Sequence, residues 1–185
     1  MKRYNSDKRI NTVVMTGLMM GLILVATSLF KVPVPLSQGY VHLGDGMIFL
    51  AVLLLGKRNG ALAAGLGSAL GDLLGGFALW VPFTFVIKFL MAYLMGVVID
   101  LLEKHGHPLA EKFSVSSAEV LGMVLGSAEM CAGYFLVERV LYGNWAAAAA
   151  GIPWNVGQAA VGMIVAFVVA AALWKTPVKK FFLMR

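Results

Sequence analysis

Charge is scarce in this sequence. Of 185 residues, 13% are Asp, Glu, Lys or Arg and 60% are hydrophobic, whereas a soluble domain carries about twice that charged share. The shortage argues against a water-soluble domain, and the length leaves no room for a separate nucleotide-hydrolysing module. Cysteine is nearly absent too. Cys131 stands alone, so no intramolecular disulfide is possible, and its apolar surroundings mark it as a packing residue. There are three histidines. They form no H-E-x-x-H motif, and no Ser–His pair falls within an apolar run, so neither a metal site nor a cofactor is expected. His105 and His107 read as solvated residues of a charged loop. The net charge of +6 does not signal nucleic acid, because the basic residues flank apolar runs, as membrane orientation requires.

The hydrophobic residues are gathered in blocks long enough to cross a bilayer, for which about 20 helical residues are needed. We expect an all-α membrane protein, one domain of six transmembrane helices over about residues 12–30, 43–56, 61–77, 83–102, 117–137 and 153–174. The basic N-terminus followed by an apolar run looks like a signal-peptide n-region, but the run is long and its cleavage signal weak. It is read as a retained first helix. Pro33 and Pro35 end that helix, the stretch from Lys57 to Gly60 makes a tight turn, and Ala146–Ala150 reads as a surface loop or a short helix on the outer face before Pro153. With six spans and a cytoplasmic N-terminus, twelve Lys and Arg fall on the cytoplasmic side and only Lys31 and Arg139 on the other. Both termini are therefore expected in the cytoplasm, with Trp80, Trp145 and Trp154 in an outer aromatic belt.

Against this background, Asp72, Lys88 and Glu129 stand out. Each lies inside an apolar span, where a charge costs several kcal/mol and usually marks a ligand or ion path. Asp72 and Lys88 each fall about five residues from the outer end of their helix, roughly 8 Å deep at 1.5 Å per residue. Asn155 and Gln158 share that layer, and Glu129 is deeper. The inner half is nearly apolar, which argues against an open channel. Asp72 and Lys88 could be a structural ion pair or ligand contacts. Asp45 could cap the second helix or touch a ligand, and His42 could be a loop histidine or a contact. Small residues line the third helix (Ala61, Gly65, Ser68, Gly76 beside Asp72), as they do one face of the fifth (Gly122, Gly126, Gly133). That pattern predicts close helix packing. Gly17 and Gly21 form a Gly-x-x-x-Gly on the first helix, suited to internal packing or to a partner helix.

Three stretches carry a family resemblance: Gly39 to Gly46 (GYVHLGDG), Leu55 to Gly76 (LGKRNGALAAGLGSALGDLLGG) and Pro82 to Lys88 (PFTFVIK). They resemble the substrate-binding S components of energy-coupling factor (ECF) transporters, within the branch holding the hydroxymethylpyrimidine and pyridoxine components, grouped with riboflavin-type ones. The resemblance implies a protein of the cell membrane that captures a small vitamin or precursor from outside for ATP-driven uptake. It implies a membrane coupling subunit and two cytoplasmic ATPases as partners, the former docking at Gly17 and Gly21. It also implies a ligand pocket in the outer half. The expected contacts are Tyr40, His42, Asp45, Asp72, Trp80, Lys88, Glu129, Trp154, Asn155 and Gln158, with Tyr40, Trp80 and Trp154 stacking on a ring. Riboflavin or another vitamin is the alternative substrate. Two other classes are weighed: a stand-alone transporter with Glu129 carrying protons, and an intramembrane enzyme using Asp72 and Glu129 as acid and base.

Overall fold

The computed structural model describes residues 2–29, 31–33, 40–103 and 115–177, with side chains from Ile10 onward; the 103–113 loop with His105 and His107 lies almost wholly outside them. Five helices form a bundle: α1 Lys2–Leu29, α2 Gly44–Leu74, α3 Val81–Glu103, α4 Ser117–Tyr142 and α5 Trp145–Trp174. All five are long and apolar enough to cross a membrane. Between α1 and α2 runs a feature the helix-only reading lacked. Strands β1 Lys31–Pro33 and β2 Tyr40–His42 pair antiparallel, with Val32 opposite Val41. Pro33 ends the pairing, since proline has no N–H to donate to a ladder.

Helix α2 is not straight. Gly56 breaks it with φ 72° and ψ −179°, a backbone that favours glycine. A Cβ built on Gly60 would lie 2.8 Å from the Cα of Val52. In a straight helix residues eight apart are about 12 Å apart, so the two arms of α2 fold back on each other at Gly56. The second arm is wedged between α1 and α3 through its small residues. A Cβ on Gly67 would meet the carbonyl of Met20 at 2.8 Å, and one on Gly65 the carbonyl of Phe85 at 3.0 Å. Backbone-to-backbone approach of this kind is what the small-residue stripe predicted. The seam between α4 and α3 is built the same way, with Gly122 against the Met95 carbonyl (2.8 Å) and Gly126 against that of Met91 (2.7 Å). The buried core is filled by Ile48, Phe49, Leu53, Met91, Met95, Ile99 and Met123.

Helix ends follow local chemistry. Pro82 sits in the first turn of α3, where a missing N–H costs nothing. Ser116 and Glu119 form a reciprocal capping box at the start of α4. Gly143, with φ 66°, ends α4 in the left-handed region. The Asn144 side chain then accepts from the N–H groups of Ala146 and Ala147. This cap starts α5 eight residues earlier than the sequence reading placed it. The Ala146–Ala150 run is therefore the first part of α5, not a separate surface segment, because alanine has the highest helix propensity. Pro153 is accommodated within the helix. Two other expectations change. Asp45 does not cap α2: the N-cap is Leu43, with no side-chain bond. Trp80 is buried rather than in an exposed belt, while Trp145 and Trp154 are exposed.

Candidate functional site

One end of the bundle gathers β2, the end of α2, the start of α3, the end of α4 and the first half of α5. Between them lies a narrow cleft, partly open to solvent, lined by Tyr40, His42, Asp72, Phe77, Trp80, Thr84, Tyr134, Glu138, Gly151, Asn155 and Gln158.

Asp72 is the polar centre of one wall. The Tyr40 hydroxyl donates to its Oδ1 at 2.6 Å, and Thr84 lines the same wall. Thr84 in turn accepts from the Tyr134 hydroxyl at 3.3 Å. Burial and the Asp72 carboxylate push the Tyr40 phenol well above its usual range, so Tyr40 remains a donor. The Lys31 ammonium lies 4.4 Å above the Tyr40 ring and 5.3 Å from that of Phe77. It fixes the hairpin over this wall by cation–π attraction. Trp80 faces Tyr134 and Tyr142, with centroids 6.1 and 6.4 Å apart.

Beneath the cleft is a second network. Lys88 and Asp45 form a fully buried ion pair at 2.5 Å. The other oxygen of Asp45 accepts from the Gln158 amide nitrogen at 2.8 Å. The Gln158 carbonyl accepts from the backbone N–H of His42, also at 2.8 Å. Gln158 therefore ties the hairpin to the floor, and its amide has only one orientation that satisfies both partners. His42 is buried and its Nδ1 accepts from the Gly44 N–H. Loss of hydration pushes the imidazole down to about 4, against the pull of Asp45, so the ring is neutral. Among the described residues no group of three His, Cys, Asp or Glu side chains could hold a metal.

The structure thus brings six of the ten expected ligand contacts into the cleft wall: Tyr40, His42, Asp72, Trp80, Asn155 and Gln158. Lys88 is not paired with Asp72, as the structural alternative would have it. Asp45 and Lys88 lie behind Gln158. Glu129 is half-buried on α4 outside the lining, and Trp154 is exposed on α5. Gly17 and Gly21 are not part of the cleft lining, and a Cβ on either meets nothing within 4 Å. Sequence reasoning missed Phe77, Thr84, Tyr134, Glu138 and Gly151. Tyr134 and Glu138 share a face with Ser127 and Met130, one residue round from the glycine face that drew notice, and Glu138 lay just past the assumed end of its span.

A family model for the ECF-type riboflavin transporter S component matches residues 7–175. A thiamine precursor transporter, HmpT, of Lactococcus lactis is 30% identical over 171 residues, 92% of each chain. An uncharacterised protein of Pyrococcus woesei is 39% identical over 127 residues, 69% of this chain and 78% of that one. The solved structure of an S component of a bacterial ECF transporter superposes with a TM-score of 0.62 at 18% identity, covering 96% of this chain and 99% of that one. The fold is thus that of a membrane S component, and the chain belongs to the ECF riboflavin-type S-component family, whose members are substrate-binding subunits and not enzymes.

Proposed function

We propose that the cleft captures a small ring compound of the thiamine-precursor type, a hydroxymethylpyrimidine or a pyridoxine-like ring, from outside the cell. The observation that carries this reading is the cleft itself: aromatic faces from Trp80, Tyr134 and Phe77 set beside the acceptor Asp72 at one end of an apolar bundle. The similarity to HmpT over nearly the whole chain supports a pyrimidine. Riboflavin is the second reading, favoured by the matching family. Tyr40, His42, Asp72, Trp80, Asn155 and Gln158 would meet the ligand, with Asp45 and Lys88 holding Gln158 in place.

Counting the arms of α2 separately gives six crossings, with both termini and the Gly56 turn in the cytoplasm and the cleft outside. The basic-residue distribution and the fold-back at Gly56 support this topology, in the cell membrane. The coupling subunit would dock on α1, where the open glycines Gly17 and Gly21 lie among exposed Val14, Leu18, Leu22 and Val25. Two cytoplasmic ATPases would complete the importer.

Purified protein should carry or bind a hydroxymethylpyrimidine, measured by mass spectrometry of co-purified small molecules and by calorimetry. Asp72→Asn should weaken binding about tenfold to a hundredfold, the cost of a charge-assisted hydrogen bond. Tight binding of riboflavin with no response to pyrimidines would replace the first reading with the second.

A further inference from the structure

The polar groups of the cleft are unevenly used. Asp72 already takes a hydrogen bond from Tyr40, and the Gln158 amide is engaged at both ends. Glu138 is different. Its side chain is 95% buried, since only 5% of the residue is exposed, yet it lines the cleft, and its Oε2 has no hydrogen-bond partner among the described residues. Among the described residues, no cation forms an ion pair with it. Lys88 is held by Asp45, Lys31 lies over Tyr40, and the neighbouring Arg139 guanidinium stacks 4.8 Å from the Trp145 ring. The space for this carboxylate exists because residue 151 is glycine: a Cβ there would stand 3.1 Å from the Glu138 carboxyl carbon. A buried acceptor left open is costly until something donates to it.

We propose that Glu138 is the specificity-determining residue of the cleft, and that it receives an amino group or protonated nitrogen on the edge of a flat heterocycle. This rests on the reading of the cleft as a ring-binding site and adds which edge of the ring is read. Trp80 and Tyr134 offer apolar faces to the ring, while the open polar capacity beside them is an acceptor. A ligand presenting a donor completes Glu138; one presenting an acceptor or an anionic group meets a carboxylate. A site built to pair with a ligand N–H rejects the analogue that lacks it, because its own group is then left unpaired.

The test is calorimetry on the detergent-solubilised full chain with matched ligands: a hydroxymethyl-aminopyrimidine against the same ring bearing methyl in place of amino, and pyridoxamine against pyridoxine. Wild type should prefer the amino member of the pyrimidine pair by at least about tenfold, the low end for a charge-assisted hydrogen bond. Glu138→Gln, which keeps an accepting oxygen but loses the charge, and Gly151→Ala, which presses a methyl group against the carboxylate, should each sharply reduce that preference. Retained thermal stability with lost preference supports the assignment; if Glu138→Gln fails to fold, Gly151→Ala decides. Equal binding of both members of each pair by wild type overturns the role of Glu138 and leaves the ring-binding cleft intact, as does a preference that survives in both variants. If wild type binds neither member of either pair, the cleft reading falls and takes this assignment with it.

Discussion

Removing the ammonium of Lys88 should destabilise this protein more than removing any single exposed charge. Lys88 and Asp45 are both fully buried and lie 2.5 Å apart, and Asp45 is further held by Gln158. Lys88→Met keeps the length of the side chain, and its neighbour is already the sulfur of Met130. Packing therefore changes little, while the Asp45 carboxylate is stranded. Breaking one side of a buried pair costs about 3–5 kcal/mol, whereas replacing both partners can be nearly neutral. Lys88→Met and Asp45→Asn should each cost about that much. The double variant should cost no more than either single change, so the two effects should fall short of additive by at least about 3 kcal/mol, the upper end of the range for residues in contact. The assay is reversible unfolding of the purified protein in mixed micelles, run as a double-mutant cycle. Single variants within 1 kcal/mol of wild type, or fully additive effects, would refute the argument that this pair is shielded from water.

Lys57→Ala should cost under about 1 kcal/mol in the same assay, since its pair with Asp100 is partly exposed; a larger loss would mean that end is less accessible than the structure implies. In a Cys131-free background, a single cysteine at Asn144 should be labelled from outside intact cells and one at Asn59 should not; the reverse pattern would invert the topology. Gly17→Leu with Gly21→Leu should leave ligand binding intact but abolish uptake and co-purification with the coupling subunit, because the open face of α1 lies away from the cleft; unchanged uptake would move the docking site elsewhere. The neutral His42 gives a pH dependence of definite sign. Its folded value is depressed from 6.5 to about 4, so the unfolded chain takes up a proton that the folded chain refuses. Stability should therefore fall as pH drops below about 6.5, by up to roughly 1.4 kcal/mol per unit, and level off near 4. Unfolding titrations of wild type against His42→Asn check this, and parallel pH profiles would remove His42 as the cause.

The parts legible in the sequence were those set by one-dimensional pattern. Apolar run lengths gave the helices, a turn was expected at Lys57–Gly60 although the chain reverses at Gly56 and is helical from Lys57 on, and Asp72 and Lys88 announced themselves by lying in apolar runs. What could not be read was which polar groups meet. Asp45 and Lys88 are 43 positions apart, and their contact depends on how the first arm of α2 folds against α3. The sequence offered Asp72, not Asp45, as the partner of Lys88. Glu138 was overlooked because a carboxylate near a span end is unremarkable until the helix proves to continue to Tyr142. Gly151 lay in an alanine run that gave no sign of facing a carboxylate. The β1–β2 hairpin is too short to leave a periodic signal.

The glycine seam between α4 and α3 carries the usual relation between burial and mutational freedom to its limit. Gly122 and Gly126 touch the carbonyls of Met95 and Met91, so at these positions even a methyl group would push two helices apart. One residue before each, Leu121 and Leu125 are exposed on the outer face, where a lipid tail would accept any apolar chain of similar reach. A lineage carrying this fold can thus rewrite much of its outward leucine and valine coat while its interior contacts stay fixed by what they lack. Two distant descendants would then keep in common the places where there is no side chain at all.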